Sequence, residues 1–146
     1  MIALLLIDLL IGGYNLGTIW AHEVDIFRSW RLTGQQFQQV QQAHWKKLSY
    51  WVLAPVALGL ILSVALLWLT PVGSPVWGPW GSFGTQIVSG ALTAATWGRW
   101  QAKLARDPRG PRSPYLQRIL ATHWIRTALY SANAIIILLW AIVILG

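Results

Sequence analysis

The sequence predicts an all-α integral membrane protein, a four-transmembrane-helix bundle built from two similar two-helix halves, with an amphipathic cytoplasmic extension before the second helix. Three observations predict it. Of 146 residues, 55% are hydrophobic and 10% charged, whereas a soluble domain carries about 25% charged residues. Apolar runs long enough to cross a hydrocarbon layer of roughly 30 Å recur along the chain. The basic residues crowd into two of the connections between those runs, as Lys and Arg do in cytoplasmic loops.

The first span covers residues 2–21. A cleaved signal peptide would need a basic flank ahead of the apolar run, and nothing basic precedes Asp8. The second span is 48–69, the third about 77–97 and the fourth 119–145, all in a single membrane domain, 1–146. The third is the weakest, because Gly, Ser and Thr dilute it. Connection 22–47 carries Arg28, Arg31, Lys46 and Lys47, and connection 98–118 carries Arg99, Lys103, Arg106, Arg109, Arg112 and Arg118. The link 70–76 has no charge. Both basic loops are therefore expected in the cytoplasm and both termini outside, in a bacterial inner membrane of cytoplasmic or thylakoid type.

The formal charge of +7 is then a matter of topology. It argues for no nucleic-acid partner, since the basic loops lack an aromatic-interleaved binding motif and lie at the anionic inner leaflet. The expected partners are the lipid bilayer and other membrane subunits, or further copies of the chain. With no cysteine, any metal would have to use His, Asp or Glu. The eleven tryptophans fit two aromatic belts, Trp68, Trp77, Trp80 and Trp140 at the outer boundary and Trp20, Trp30, Trp45, Trp51, Trp97, Trp100 and Trp124 at the inner one. The Pro-rich basic stretch 105–114 reads as an irregular loop between the halves.

Residues 37–48 lie over 116–127 at a constant offset, pairing Phe37 with Leu116, Val40 with Ile119, His44 with His123, Trp45 with Trp124 and Lys47 with Arg126. Both halves have the same topology, so an axis along the membrane normal would relate them and place the two histidines at equal depth. Thr33 and Gln36 have the spacing of a capping box ahead of the second helix.

Polar residues fall on one face of each of three spans. Span one carries Asp8, Asn15, Thr18 and His22; span three carries Ser82, Thr85, Gln86, Ser89 and Thr93; span four carries His123, Arg126, Thr127, Tyr130 and Asn133. Lipid contact is costly for such groups, so the stripes should converge inside the bundle. Glue between helices explains the hydroxyls and amides equally well. Arg126 needs a partner, for which Glu23, Asp25 or a ligand carboxylate are available; Asp8 is either protonated or paired with Gln86.

The inner-side set is His22, Glu23, His44, His123 and Arg126, with Tyr130, Trp97 and Trp100 at similar depth. Three chemistries suit it. His44 and His123, with Tyr130 beside them, would ligate haem iron axially or hold chlorophyll magnesium. His with Glu would hold a non-haem metal, although there is no Glu-x-x-His pair of the di-iron type and no metal set stands out. His44 or His123 would act as base toward a phenolic or anionic substrate while Arg126 stabilises an oxyanion. Beside these stands a pocket of His22, Glu23, Trp97, Trp100 and Arg126 that docks a partner or a ligand, and whether the chain is an enzyme stays open.

Gly12-Gly13, the Gln-Gln-Ala-His-Trp run at 41–45, Trp-Val-Leu-Ala-Pro at 51–55 and His-Trp-Ile-Arg-Thr at 123–127 resemble the small four-helix bacterial membrane proteins related to the anthrone-oxygenase-like family of unknown function. The resemblance spans most of the chain. It implies a four-helix membrane bundle and, by way of fungal relatives, cofactor-free oxygenation of polyketide anthrones, with His44 and Arg126 on positions that match the family's pattern. His123 stands where Asn is expected, and Glu23-Val24-Asp25 replaces a His-Tyr-Pro-like stretch. The expected function is thus a binding or accessory subunit of the membrane, or else an oxygenase-like enzyme acting on a lipid-soluble phenol.

Overall fold

The computed structural model describes residues 1–146 and is helical almost throughout, with no strand. Four columns run back and forth. The first is Ile2–Leu32 and the second Gly34–Trp68; the third covers 77–104, and the fourth is Pro114–Leu145, one α-helix of 32 residues. The first packs on the second and fourth, and so does the third, which leaves a shared interior.

The first, second and fourth columns are long and apolar enough to cross a membrane. The third is not among them. Gly78, Gly81, Gly84 and Gly90, with Ser82, Thr85, Gln86 and Ser89, lower its hydropathy, and the same small residues serve close packing on the fourth column. A Cβ on Gly78 would lie 2.7 Å from Trp140 Cγ, and one on Gly81 would lie 3.3 Å from Ile136.

Helix runs well past the apolar spans. Residues 22–32, expected in a connection, continue the first column, and the amphipathic extension expected before the second helix continues the second column over 34–47, because backbone hydrogen bonding does not require apolar side chains. A single turn divides them, at Gly34, whose φ of 53° suits only glycine well. The expected capping box does not form: Thr33 Oγ1 donates back to the Trp30 carbonyl at 2.9 Å, and residues 34–36 make a 3₁₀ turn before the helix resumes at Phe37.

Three of the columns contain a π-helical turn, at His22–Ile26, Ser49–Leu53 and Thr93–Trp97. Pro55 has no N–H to offer the Trp51 carbonyl four residues earlier, and Tyr14 Oη supplies that bond from the first column at 2.9 Å. In the third column the π turn brings the Thr93 carbonyl oxygen within 3.0 Å of where a Cβ on residue 98 would stand, and residue 98 is glycine. Such turns gather at functional sites.

Two apolar clusters close the ends of the interior. At the end bearing the basic loops, hereafter the basic end, Phe27, Trp30, Phe37, Leu104, Leu116 and Ile119 are all buried; at the other end Leu5, Leu66, Ile137, Trp140 and Ala141 do the same. Trp30, Trp97 and Trp140 are therefore core residues and not belt anchors, whereas Trp20, Trp45, Trp51, Trp68, Trp77, Trp80 and Trp124 are exposed. Belt and core both favour Trp, and only packing separates them.

Between the clusters the interior is polar, as the stripes predict: Asp8, Asn15, Ser63, Ser82, Ser89, Thr127 and Asn133 are buried. Ser82 and Thr85 hydroxyls lie 3.3 and 2.8 Å from Asn133 Oδ1, and Asn15 donates to the Pro55 carbonyl. The expected Asp8–Gln86 pair is absent. Gln86 donates instead to the Gly59 carbonyl at 3.0 Å, and both Asp8 oxygens are buried without a hydrogen-bond partner.

The loop 105–113 is irregular in backbone yet tightly fixed. Asp107 accepts from Arg109 Nε at 2.9 Å and from Ser113 Oγ at 2.7 Å, and Gln38 donates to the Asp107 carbonyl. The Arg109 guanidinium and the Ser113 hydroxyl hold the Asp107 carboxyl well below the usual carboxylate range. Ser113 then caps the fourth helix by accepting from the Tyr115 N–H.

Candidate functional site

The site lies where the polar interior meets the aromatic cluster of the basic end. A cavity of about 190 Å³ opens there between all four columns. The first column lends Ile19, His22 and Phe27; the second lends Trp45, Leu48, Val52 and Leu53; the third lends Thr93, Gly98 and Gln101. The fourth contributes Arg126 alone. Each of the three π turns falls at this level, and His22, Val52, Leu53 and Thr93 belong both to a π turn and to the wall.

Arg126 is only 7% exposed, and its Nε is buried with no hydrogen-bond partner. The sequence offers Glu23 or Asp25 as its counter-charge, but neither fills that role. The ion pairs of the chain are Arg28–Glu23, Arg109–Asp107 and His123–Glu23. The guanidinium has the face of Tyr130 for company, 6.0 Å from the ring centroid, an attraction of about 0.5–2 kcal/mol that does not neutralise the charge.

Glu23 is engaged twice. Its Oε1 accepts from Arg28 at 2.7 Å and its Oε2 from His123 Nδ1 at 2.9 Å. Because a carboxylate accepts, His123 carries its proton on Nδ1 toward Glu23, and the other nitrogen, Nε2, is buried without a partner. The imidazole is thus oriented by a carboxylate on one side and left without a partner on the other.

His22 and His44 form a second pair. His22 Nδ1 lies 2.7 Å from the Thr18 carbonyl, and its Nε2 lies 3.3 Å from His44 Nε2. A carbonyl only accepts, so the His22 proton sits on Nδ1, and His44 must donate to His22 Nε2. Aromatic edges enclose both pairs: Phe27 meets His22 at 5.3 Å and His123 at 4.8 Å, and Trp30 meets His44 at 5.2 Å.

Of the residues singled out in sequence, His22 and Arg126 line the cavity, while Glu23, His123 and Tyr130 stand behind it. His44 instead borders a groove of about 280 Å³ on the seam of the first and second columns, together with His22, Lys47, Trp51 and Val52. The matched histidines do not front a common space. Trp97 and Trp100 line neither space: Trp97 donates to Thr122 Oγ1 at 3.0 Å, and Trp100 packs on the aromatic cluster. No group of three or more His, Asp or Glu gathers as metal ligands do. Thr93, on the polar stripe of the third span, reaches the cavity as expected, whereas sequence reasoning missed Gln101 and Gln41, both buried, and Gly98; a buried glutamine in an exposed-looking polar run carries no pattern that marks it.

Comparison of the chain with protein-family models, with curated protein sequences and with solved structures finds no match.

Proposed function

We propose that the chain is a four-span membrane protein that binds a small hydrophobic ligand bearing an acidic group, carboxylate or phenol, with Arg126 as its counter-charge. In this reading both basic loops face the cytoplasm and both termini lie outside. Charged residues in spans are rare and mark ligand or ion sites. The observation that carries the reading is a buried guanidinium in no ion pair, its Nε without a hydrogen bond, on a cavity that no carboxylate of the chain lines. The ligand completes the charge balance that the protein leaves open.

The test uses the full chain in mild detergent, with cis-parinaric acid as probe and its quenching of tryptophan emission, Trp45 lining the cavity, as readout. Arg126→Leu should weaken binding at least tenfold and at the same time raise the melting temperature, since it removes an uncompensated buried charge. Unchanged affinity in that variant would overturn the reading. A haem or chlorophyll absorption band that disappears in His44→Ala would replace it with cofactor carriage.

The Glu23–His123 pair favours a second reading, in which the bound ligand is a substrate. His123 Nε2, which lies behind the cavity wall and stands where the family resemblance expects Asn, would have to be uncovered by the bound ligand to take the phenolic proton while Arg126 holds the resulting phenolate. Loss of turnover in His123→Ala with binding intact distinguishes the two.

A further inference from the structure

We infer that the ligand reaches Arg126 sideways, from within the membrane, through the seam between the first and second columns, and is therefore an amphiphile whose tail stays in that seam. This rests on the reading of the cavity as a binding site and adds its route and the shape of its ligand.

The two ends of the bundle are shut. Toward the basic end the cavity is floored by Phe27 and by the fully packed cluster behind it, and beyond the polar middle the far end is filled by Trp140 and its neighbours. The side wall at the seam is thin by contrast. Cavity and groove share His22, Leu48 and Val52, so those three side chains are the partition between them.

That partition is also where regular helix is interrupted on both sides, by the π turns at His22–Ile26 and Ser49–Leu53. The side-chain hydrogen bond at the partition itself is the His22–His44 contact at 3.3 Å, long for its kind, while the Tyr14–Trp51 and Asn15–Pro55 bonds hold the same seam further along the columns. Breaking the histidine contact costs little, because a neutral hydrogen bond contributes about 0.5–1.5 kcal/mol net.

Charge and size agree with an acidic amphiphile. Lys47 borders the groove and Arg126 the cavity, and no acidic side chain lines either, so an anion meets a cation at the mouth and another at the end of its path. The cavity is smaller than the roughly 300–1,000 Å³ of ordinary small-molecule pockets. It takes an acidic end and little more, while the groove, bordered by Trp51 and Leu48, takes the start of an apolar chain.

The chain has no cysteine, which permits a reversible lock. In the double variant Ala21→Cys, Trp51→Cys, a disulfide-forming bifunctional thiosulfonate is used to bridge the mouth of the groove, and stopped-flow quenching follows association of cis-parinaric acid with protein in phosphatidylcholine nanodiscs. We expect association at least tenfold slower when bridged and full recovery on adding reductant, so the same sample serves as its own folding control. Equal rates in both states, with Arg126→Leu still weakening binding at least tenfold, would overturn the lateral route and leave the site standing. Unchanged affinity in Arg126→Leu would remove the site and the route together. Benzoate, an acid without a tail, should compete poorly; competition as strong as that of a long-chain acid would overturn the amphiphile.

Discussion

His44 and His123 occupy matched places in the two halves of the chain and live in different surroundings. His44 is half-buried on the seam, tied to His22, with Lys47 exposed at the groove; His123 is buried against Glu23, with Arg126 on the cavity wall. The halves also differ at the same offset further on, where the second column has Pro55 and the fourth has Ala134. Proline withholds an N–H just past the second column's π turn, whereas the fourth column, with alanine at the matching place, runs unbroken. One half supplies the partition between cavity and groove, and the other the histidine buried against Glu23.

The largest effect should come from reversing that difference. Ala134→Pro puts proline inside the continuous helix and should cost about 3 kcal/mol or more, measured by denaturant unfolding in detergent, whereas Pro55→Ala should change stability by less than about 1 kcal/mol, because Tyr14 already satisfies the Trp51 carbonyl. A comparable loss in both would deny that the two columns differ in this way.

Next come the histidines themselves. His123→Ala strips a buried partner from Glu23 and should cost about 1–3 kcal/mol. His44→Ala, at a half-buried site with one long hydrogen bond, should cost about 0.5–1.5 kcal/mol. The reverse order would mean that the seam, and not the buried pair, anchors this end.

The smallest effect concerns the loop that joins the halves. Asp107→Asn weakens its hold on Arg109 and Ser113 and should speed tryptic cleavage at Arg109 and Arg112 severalfold with little change in global melting. Since the Asp107 carboxyl is held below its ordinary range, its contribution is fully present above about pH 4 and is lost as pH falls through the depressed value. Amide exchange in residues 107–113 should accelerate over that acidic window alone.

Hydrophobic run length and helical spacing made the columns and their polar inward faces legible, because a side chain's face on a helix follows from its number. His22 and Arg126 were legible for the same reason, as polar groups on a buried stripe. Partners were not. Glu23 chose His123 and Arg28 over Arg126, and Gln86 chose a backbone carbonyl over Asp8, since choosing among several acceptors at one depth depends on rotation and crossing of helices that no spacing encodes. The capping spacing at Thr33 misled because a hydroxyl three residues after a free carbonyl finds that carbonyl first.

By itself the sequence determined an all-helical chain with apolar columns, basic connections and polar stripes that must meet, because each is a property of composition and period along one strand of chain. The tertiary structure decided which tryptophans are core, which charges stay unpaired and that the one buried cation fronts a cavity. Those are outcomes of contact between residues a hundred positions apart, and burial makes them matter, for an unpaired group in the interior has no water to turn to.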